Sequence, residues 1–319
     1  MRKGSENAAQ IIAGMNTARF FTASLLAFFA LGPLAACASG KNDVAGSIDV
    51  GGVKRTYVAH VPAHLGASVP LVFAFHGRGG DGAEQSRLSR LDTLADRYGF
   101  IVLYPNGLRR EWNDGDPGNG GADDVGFVRA LIADFSKRYP IDRKRIYATG
   151  FSNGATFTQY LGCVLSSQLA AIAPVSGSMP VEDASTCHPR RAISVLEIAG
   201  TADPIMPYDG GEITILGHPR GKVRSAAQSV AFWAQNAGCG GSRTTMLPQR
   251  VRAGRTHVTR TTYEACAKGA NVVLYTVKGG GHTWPGGPQY LPRAFVGRAS
   301  RQLDASAAIV AFFLAHPMR

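Results

Sequence analysis

Residues 145–155 read Arg145-Ile146-Tyr147-Ala148-Thr149-Gly150-Phe151-Ser152-Asn153-Gly154-Ala155. An apolar run rich in strand formers enters the step Gly150-Phe151-Ser152-Asn153-Gly154, and a helix-compatible run leaves it. The pattern predicts a strand over 145–149, a tight turn at the serine and a helix from 153 to about 168. This strand–turn–helix setting is what a Gly-x-Ser-x-Gly nucleophile elbow requires. A serine held there is forced into a strained backbone conformation that lifts its hydroxyl off the sheet edge. The flanking glycines let neighbouring elements approach, and the new helix brings its positive dipole end beneath any charge developing at the serine.

Outward from the elbow, short β-branched runs alternate with amphipathic helical runs. Strands are expected over 47–50, 54–61, 69–75, 100–104, 171–175, 193–199 and 272–277. The first two sit close enough for a hairpin across Gly51 and Gly52. Helices are expected over 84–98, from a cap at Asp123 or Asp124 to Pro140, over 225–236 and over 305–316. In the 84–98 helix Leu88, Leu91, Leu94, Ala95 and Tyr98 share a face, and Gly99 stops it. Such alternation implies an α/β fold, a mainly parallel sheet with helices on both faces. The 39 glycines among 319 residues fit tight turns and close backbone approaches better than a helical bundle. One catalytic domain over 47–319 is expected, since no Ser/Thr/Pro-rich linker or internal repeat divides it.

A serine hydroxyl needs a base to take its proton, and the base needs an acid to hold it, in chain order Ser, Asp, His. Of the eight histidines, His282 lies in GGGHTWPGG directly after the last core strand, where a flexible loop would bring its ring over Ser152. Asp203 follows the strand over 193–199, at the carboxyl end where α/β sheets build their sites. Asp209, in YDGG, is the alternative acid, although it reads as a turn residue. The turn His76-Gly77-Arg78-Gly79-Gly80 follows another core strand, so the backbone amides of Arg78 and Asn153 are the expected oxyanion-hole donors. His76 reads as a loop-shaping hydrogen bonder. No GKS or GKT follows the glycines, which argues against a phosphate loop.

The first 36 residues read as a signal peptide: Arg19, then the uncharged run 20–36, then small residues. Leu34-Ala35-Ala36-Cys37 resembles a bacterial lipobox, in which Cys37 becomes the lipidated first residue and tethers the protein to a membrane. An ordinary signal cleaved near Ala36 or Ala38 is a second reading, and a retained anchor helix a third, disfavoured by the short length of the run and by Pro33; Met15 is a candidate initiator. Residues 37–46 are then a short linker. Export makes the remaining cysteines an even set of four, Cys163, Cys187, Cys239 and Cys266. Of three pairings the two local ones, Cys163–Cys187 and Cys239–Cys266, are favoured over the crossed pairings and over free thiols. No clustered Cys/His spacing suggests a metal. The net charge of +12 is concentrated at Arg250, Arg252, Arg255, His257 and Arg260, read as one exposed strand. Without interleaved aromatics, and in an exported chain, this run does not indicate nucleic acid.

With these parts together, the chain resembles the secreted esterase family that includes single-domain polyhydroxybutyrate depolymerases and feruloyl or acetylxylan esterases. The stretches that carry the resemblance are FAFHGRGGDG, YPNGLRREWNDG, DDVGFVRALI, RIYATGFSNGA, AAIAPVSG, IAGTADPIMPYDGG and GGGHTWPGG, spread from about residue 55 to the end. The resemblance implies an α/β-hydrolase fold with Ser152 as nucleophile, Asp203 as orienting acid and His282 as base, and no cofactor. It also implies that Trp112 and Trp284 line the acyl or aromatic pocket. The sequence ends soon after the last helix with no appended polymer-binding region, which points to small or oligomeric esters over insoluble polyester. Arg78 suggests a bias toward acidic substrates. A prolyl-type serine peptidase and a non-catalytic lipoprotein on the same scaffold are the competing readings. An amide substrate panel separates the first from an esterase, and fluorophosphonate labelling the second. The oligomeric state is not legible.

Overall fold

Every residue of β3 (Val69–Phe75), β4 (Ile101–Pro105), β6 (Ala171–Val175) and β7 (Ser194–Gly200) is buried. Strands buried on both faces are expected at the centre of a parallel sheet covered by helices. A computed structural model describes residues 43–115, 121–252 and 254–319. The expected signal segment, Cys37 and residues 37–42 of the expected linker lie outside the described residues.

In chain order the other strands are β1 (Asp43–Val50), β2 (Val53–His60), β5 (Ile141–Phe151), β8 (Gly211–Ile215), β9 (His218–Val223), β10 (Gly241–Met246), β11 (His257–Glu264) and β12 (Val272–Lys278). The helices are α1 (Gly82–Ser89), α2 (Leu91–Tyr98), α3 (Asp124–Arg138), α4 (Asn153–Val164), α5 (Asp183–Thr186), α6 (Ala226–Ala237), α7 (Arg293–Val296) and α8 (Ala305–Ala315). Among the described residues one ten-stranded sheet runs β1-β2-β4-β3-β5-β6-β7-β12-β11-β10, and β8 and β9 form a separate hairpin. The stretch from β4 to β12 is parallel, with antiparallel pairs at both edges.

The two-residue period of β3 sorts its side chains into two layers. Leu71, Phe73 and Phe75 join a core containing Val128 and Leu131 of α3, Phe157 of α4 and Trp233 of α6. Val72 and Ala74 face the other core, with Leu91 and Ala95 of α2 and Ile309 and Phe313 of α8. Asp123 caps α3 by accepting from Gly126 N, and Ser225 closes a capping box with Gln228 at the start of α6. Disulfides join Cys163 to Cys187 and Cys239 to Cys266.

Four expectations need correcting. The helix over 84–98 is two helices, because Arg90 adopts a left-handed conformation (φ 54°) that ends α1 and redirects the chain into α2. Tyr98, placed on its apolar face, is exposed. The first strand begins at Asp43, pairing with His60, so the expected linker overlaps it. Arg250, Arg252 and Arg255 are exposed but precede β11, so the basic run is not one strand. The β8–β9 hairpin and β10 had no sequence counterpart.

Candidate active site

Ser152 stands between β5 and α4 at φ 57°, ψ −121°, a region non-glycine residues rarely occupy. The surroundings enforce it. A Cβ on Gly150 would lie 2.2 Å from Gly154 O, and one on Gly154 would lie 2.4 Å from Phe75 O. Both elbow positions therefore require glycine for close packing of the α4 start against β5 and β3. Asn153 is the first residue of α4, and the first four amides of a helix have no partner within it.

His282 and Asp203 come to this turn from the ends of β12 and β7. His282 Nε2 lies 2.8 Å from Ser152 Oγ, and His282 Nδ1 lies 2.9 Å from Asp203 Oδ2. The two side chains of the acid–imidazole pair are almost wholly buried. The other carboxylate oxygen, Oδ1, accepts from the amides of Ile205 and Met206 at 2.9 and 2.8 Å, which fixes the acid's orientation. Asp209 is exposed in a turn where Gly210 N donates to Pro207 O, and it makes no part of this chain of bonds. The segment carrying His282 is tied down rather than loose. His282 N donates to Val296 O, Gly281 N to Arg298 O, and Ser176 Oγ to Thr283 O. A side chain so mounted needs no ordering before it can exchange a proton with Ser152.

The turn after β3 sits against the elbow, where a Cβ on Gly77 would come 3.2 Å from Ser152 Cβ. His76 shapes that turn. Its Nε2 accepts from Gly107 N at 3.0 Å, so Nδ1 carries the proton and donates to Gly77 O at 2.8 Å. Burial drives its pKa down to about 4, which keeps the ring neutral and this tautomer in place. Trp112 Nε1 donates to His76 O, and Asn153 Oδ1 accepts from Trp112 N at 2.8 Å. The turn carrying Arg78 and the helix start carrying Asn153 are thus braced against each other. The Arg78 side chain forms an ion pair with Glu111, which offsets the free positive charge that suggested a preference for acidic substrates.

A cleft of about 660 Å³ opens over Ser152 and His282. Its walls include Leu88, Phe151, Ile205, Tyr290 and Leu291. Trp112 and Trp284 do not line it, which corrects the expectation taken from the resemblance. Trp112 is fully buried and stacked on Phe157 at 5.2 Å, and Trp284 is buried with Nε1 on Ser306 Oγ. Both are too deeply packed to reach a ligand. Sequence reading missed Tyr290, in GGPQYLP beyond His282, whose ring meets Phe151 edge-on at 5.6 Å. It also missed Gln85, a buried side chain on the cleft wall whose Nε2 has no hydrogen-bond partner among the described residues. Position in the sequence marks neither, since both reach the cleft through the packing of α1 and of the loop after β12.

Among the described residues one acid–histidine group, Asp43, His60 and Asp92, has ligand atoms close enough to share a cation. Its donors are already engaged. His60 bonds Asp43 and Asp96 through its two ring nitrogens, and Asp92 accepts from Tyr104 and Ser86. The group ties β1 and β2 to α2 and takes no part in the site around Ser152.

The family model described as Esterase PHB depolymerase matches residues 56–223. A putative esterase, NocK, of Nocardia uniformis subsp. tsuyamanensis is 33% identical over 83% of this chain and 80% of its own length. Feruloyl esterase B of Piromyces equi is 32% identical over 67% of this chain, and the match spans 40% of that larger protein. Among solved structures, acetyl xylan esterase from Aspergillus awamori aligns with a TM-score of 0.52 at 18% identity, covering 72% of this chain and 89% of that one. That likeness speaks for the α/β-hydrolase fold. With its elbow, its mounted histidine and acid, and these relatives, the chain belongs to the esterase PHB depolymerase family of carboxylic-ester hydrolases.

Proposed function

We propose that the protein is a serine carboxylesterase working through an acyl-enzyme, with Ser152 as nucleophile, His282 as base and acid, and Asp203 as the group that holds His282. The observation that carries this is the unbroken pair of hydrogen bonds from Asp203 through His282 to Ser152 at the base of the cleft. Ser152 Oγ attacks the ester carbonyl carbon while His282 Nε2 takes its proton. The oxyanion is received by the backbone amides of Arg78 and Asn153, and losing one such donor costs about 3 kcal/mol of transition-state stabilisation. His282 then returns the proton to the departing alcohol, and water repeats the sequence to release the acid. Asp203 keeps Nε2 unprotonated in the resting state and steadies the imidazolium.

Hydroxyalkanoate oligomers and hydroxycinnamoyl or acetyl esters are the proposed substrates, a choice supported by the names of the family and of its feruloyl and acetyl xylan relatives. The apolar cleft walls suit such acyl or alcohol groups. The two disulfides support a location in an oxidising compartment outside the cytoplasm, and Cys37 is the proposed lipid attachment point. Mass spectrometry of the mature N-terminus checks that attachment. The decisive test of function is turnover of p-nitrophenyl butyrate, methyl ferulate and 3-hydroxybutyrate oligomers by the wild type and by Ser152→Ala. Loss of about 10⁶-fold in kcat is expected, and equal rates in the two proteins would sink the proposal.

A further inference from the structure

The cleft over Ser152 has α1 as one of its walls, and two buried side chains of that helix, Gln85 and Leu88, lie three residues apart on the face toward it. Apolar side chains make up much of the remaining wall, among them Phe151, Ile205 and Ile215 of the β8–β9 hairpin. Gln85 is only 1% exposed, yet its side chain makes no hydrogen bond among the described residues. A buried donor left unpaired destabilises a fold, so nearly all such groups are paired. Arg55 and Arg191 also bury an unpaired Nε, but both are engaged through other guanidinium nitrogens and neither lines this cleft. Glu84, next to Gln85, is taken up by Arg110 at 3.3 Å.

The helix holds Gln85 in place. Asp81 caps α1 by accepting from Glu84 N at 2.9 Å, and Gly82 N donates to Asn106 Oδ1 at 2.7 Å. A Cβ on Gly82 would lie 2.3 Å from Tyr104 O, so α1 starts directly against β4. At its other end Ser306 Oγ of α8 donates to Ser89 O. The amide is thus a fixed polar point in a largely apolar wall. Its terminal torsion, broad and two-fold in glutamine, lets it turn either Nε2 or Oε1 toward the cleft.

We propose that Gln85 is a specificity-determining residue: its amide hydrogen-bonds an oxygen of the substrate beyond the reacting ester group, which raises the preference for esters carrying a hydroxyl or ether oxygen over the same esters with carbon in its place. This rests on the esterase reading and adds the group that reads the rest of the substrate. The fold keeps a group that weakens it when empty, and the substrate supplies the missing partner. A donor already ordered by its helix loses little freedom on binding, so more of the bond appears as selectivity.

The test uses two pairs of neutral esters that differ by one oxygen for one carbon. Ethyl 3-hydroxybutyrate against ethyl 3-methylbutanoate places the oxygen on the acyl part, and 2-methoxyethyl butyrate against butyl butyrate places it on the alcohol part. Since all four are neutral, the charges of Arg78 and Arg87 on the cleft wall do not separate them. The kcat/KM ratio within each pair is measured by pH-stat titration for the wild type, Gln85→Met and Leu88→Met. Gln85→Met is expected to lower one of the two ratios about tenfold, and which one falls assigns the oxygen to the acyl or the alcohol part. Its denaturation midpoint should stay level or rise, because an unpaired buried donor has been removed. Leu88→Met reshapes the same wall without touching a polar atom, so both members of a pair should shift together and each ratio stay within about twofold. Unchanged ratios in Gln85→Met overturn the proposal, as does an equal fall in Leu88→Met. A midpoint that drops while both ratios hold overturns it too, and gives the amide an internal, structural partner. If the wild type hydrolyses none of the four esters, the failure belongs to the esterase reading instead.

Discussion

The elbow between β5 and α4 and the hairpin β8–β9 border the same serine and are built in opposite ways. Around the elbow the residues are buried and, beneath the cleft, closely packed: Ser152 is held at positive φ, and added carbons at Gly150 or Gly154 would collide with backbone. Apart from the buried Val223 the hairpin is half to fully exposed, its register slips between Glu212 and Thr214, and its tip carries Leu216 at 83% exposure. The difference is instructive. Chemistry common to all substrates needs sub-ångström placement, which only dense packing provides. Selection among substrates needs a surface that varies without unfolding the protein, and exposed connections allow that.

The sharpest challenge to the buried half is Asp203→Asn. It keeps shape and removes the charge that fixes the His282 tautomer, so kcat on p-nitrophenyl butyrate is expected to drop about 10⁴-fold with little change in folding. A loss below tenfold would mean the acid does not orient the base. Gly154→Ala comes next. The added methyl meets Phe75 O and His76 O, pushes the helix start away from the oxyanion turn, and should cost about 10²-fold in kcat along with roughly 1–3 kcal/mol of stability. Wild-type kinetics in this variant would show that the elbow tolerates slack.

Behind the elbow a polar brace connects the helices to the sheet. Glu197 of β7 accepts from Gln159 of α4, Ser229 of α6 and Ser178 at 2.9, 2.6 and 2.8 Å. Burial raises its pKa to about 7 from the usual 4.5. The folded state therefore holds a proton that the unfolded chain has released between those values. Its contribution, about 3 kcal/mol, is present in full below pH 4.5 and is lost as pH rises through 7. Denaturant melts at pH 5 and 8 should show a smaller difference for Glu197→Gln than for the wild type. An identical difference in both would rule out this carboxyl as its source. At the small end, Leu216→Asn on the hairpin tip should stay within about 0.5 kcal/mol in stability and twofold in rate on a small neutral ester. A larger effect would make the tip part of the buried half after all.

Legibility follows the same division. Ser152, Asp203 and His282 could be singled out because each sits just beyond a strand whose apolar run is easily recognised, and strand ends at one edge of a parallel sheet converge. The helix over 84–98 was misread as continuous because its apolar spacing runs straight through Arg90. Left-handed backbone at an arginine leaves no mark in that spacing. Trp112 and Trp284 were misplaced because an aromatic near a site reads the same whether it faces ligand or core. Here indole N–H groups bonded to His76 O and Ser306 Oγ hold them inside. The β8–β9 hairpin is hard to read for the converse reason: β9 is polar and exposed except for Val223, and β8 offers only the half-buried pair Ile213 and Ile215, too short an alternation to stand out.

By itself the sequence determined the alternation of strands and helices, the chain order of Ser152, Asp203 and His282 beyond their strands, and the glycines without which the elbow cannot close. Those are consequences of local sterics and of apolar periodicity, both written residue by residue. Only the tertiary structure decided that His282 is mounted rather than mobile, that Arg78 is paired with Glu111, and which side chains face the cleft. Such facts depend on contacts between residues tens to hundreds of positions apart, as Ser152 and His282 are, and no local pattern specifies which distant partners meet.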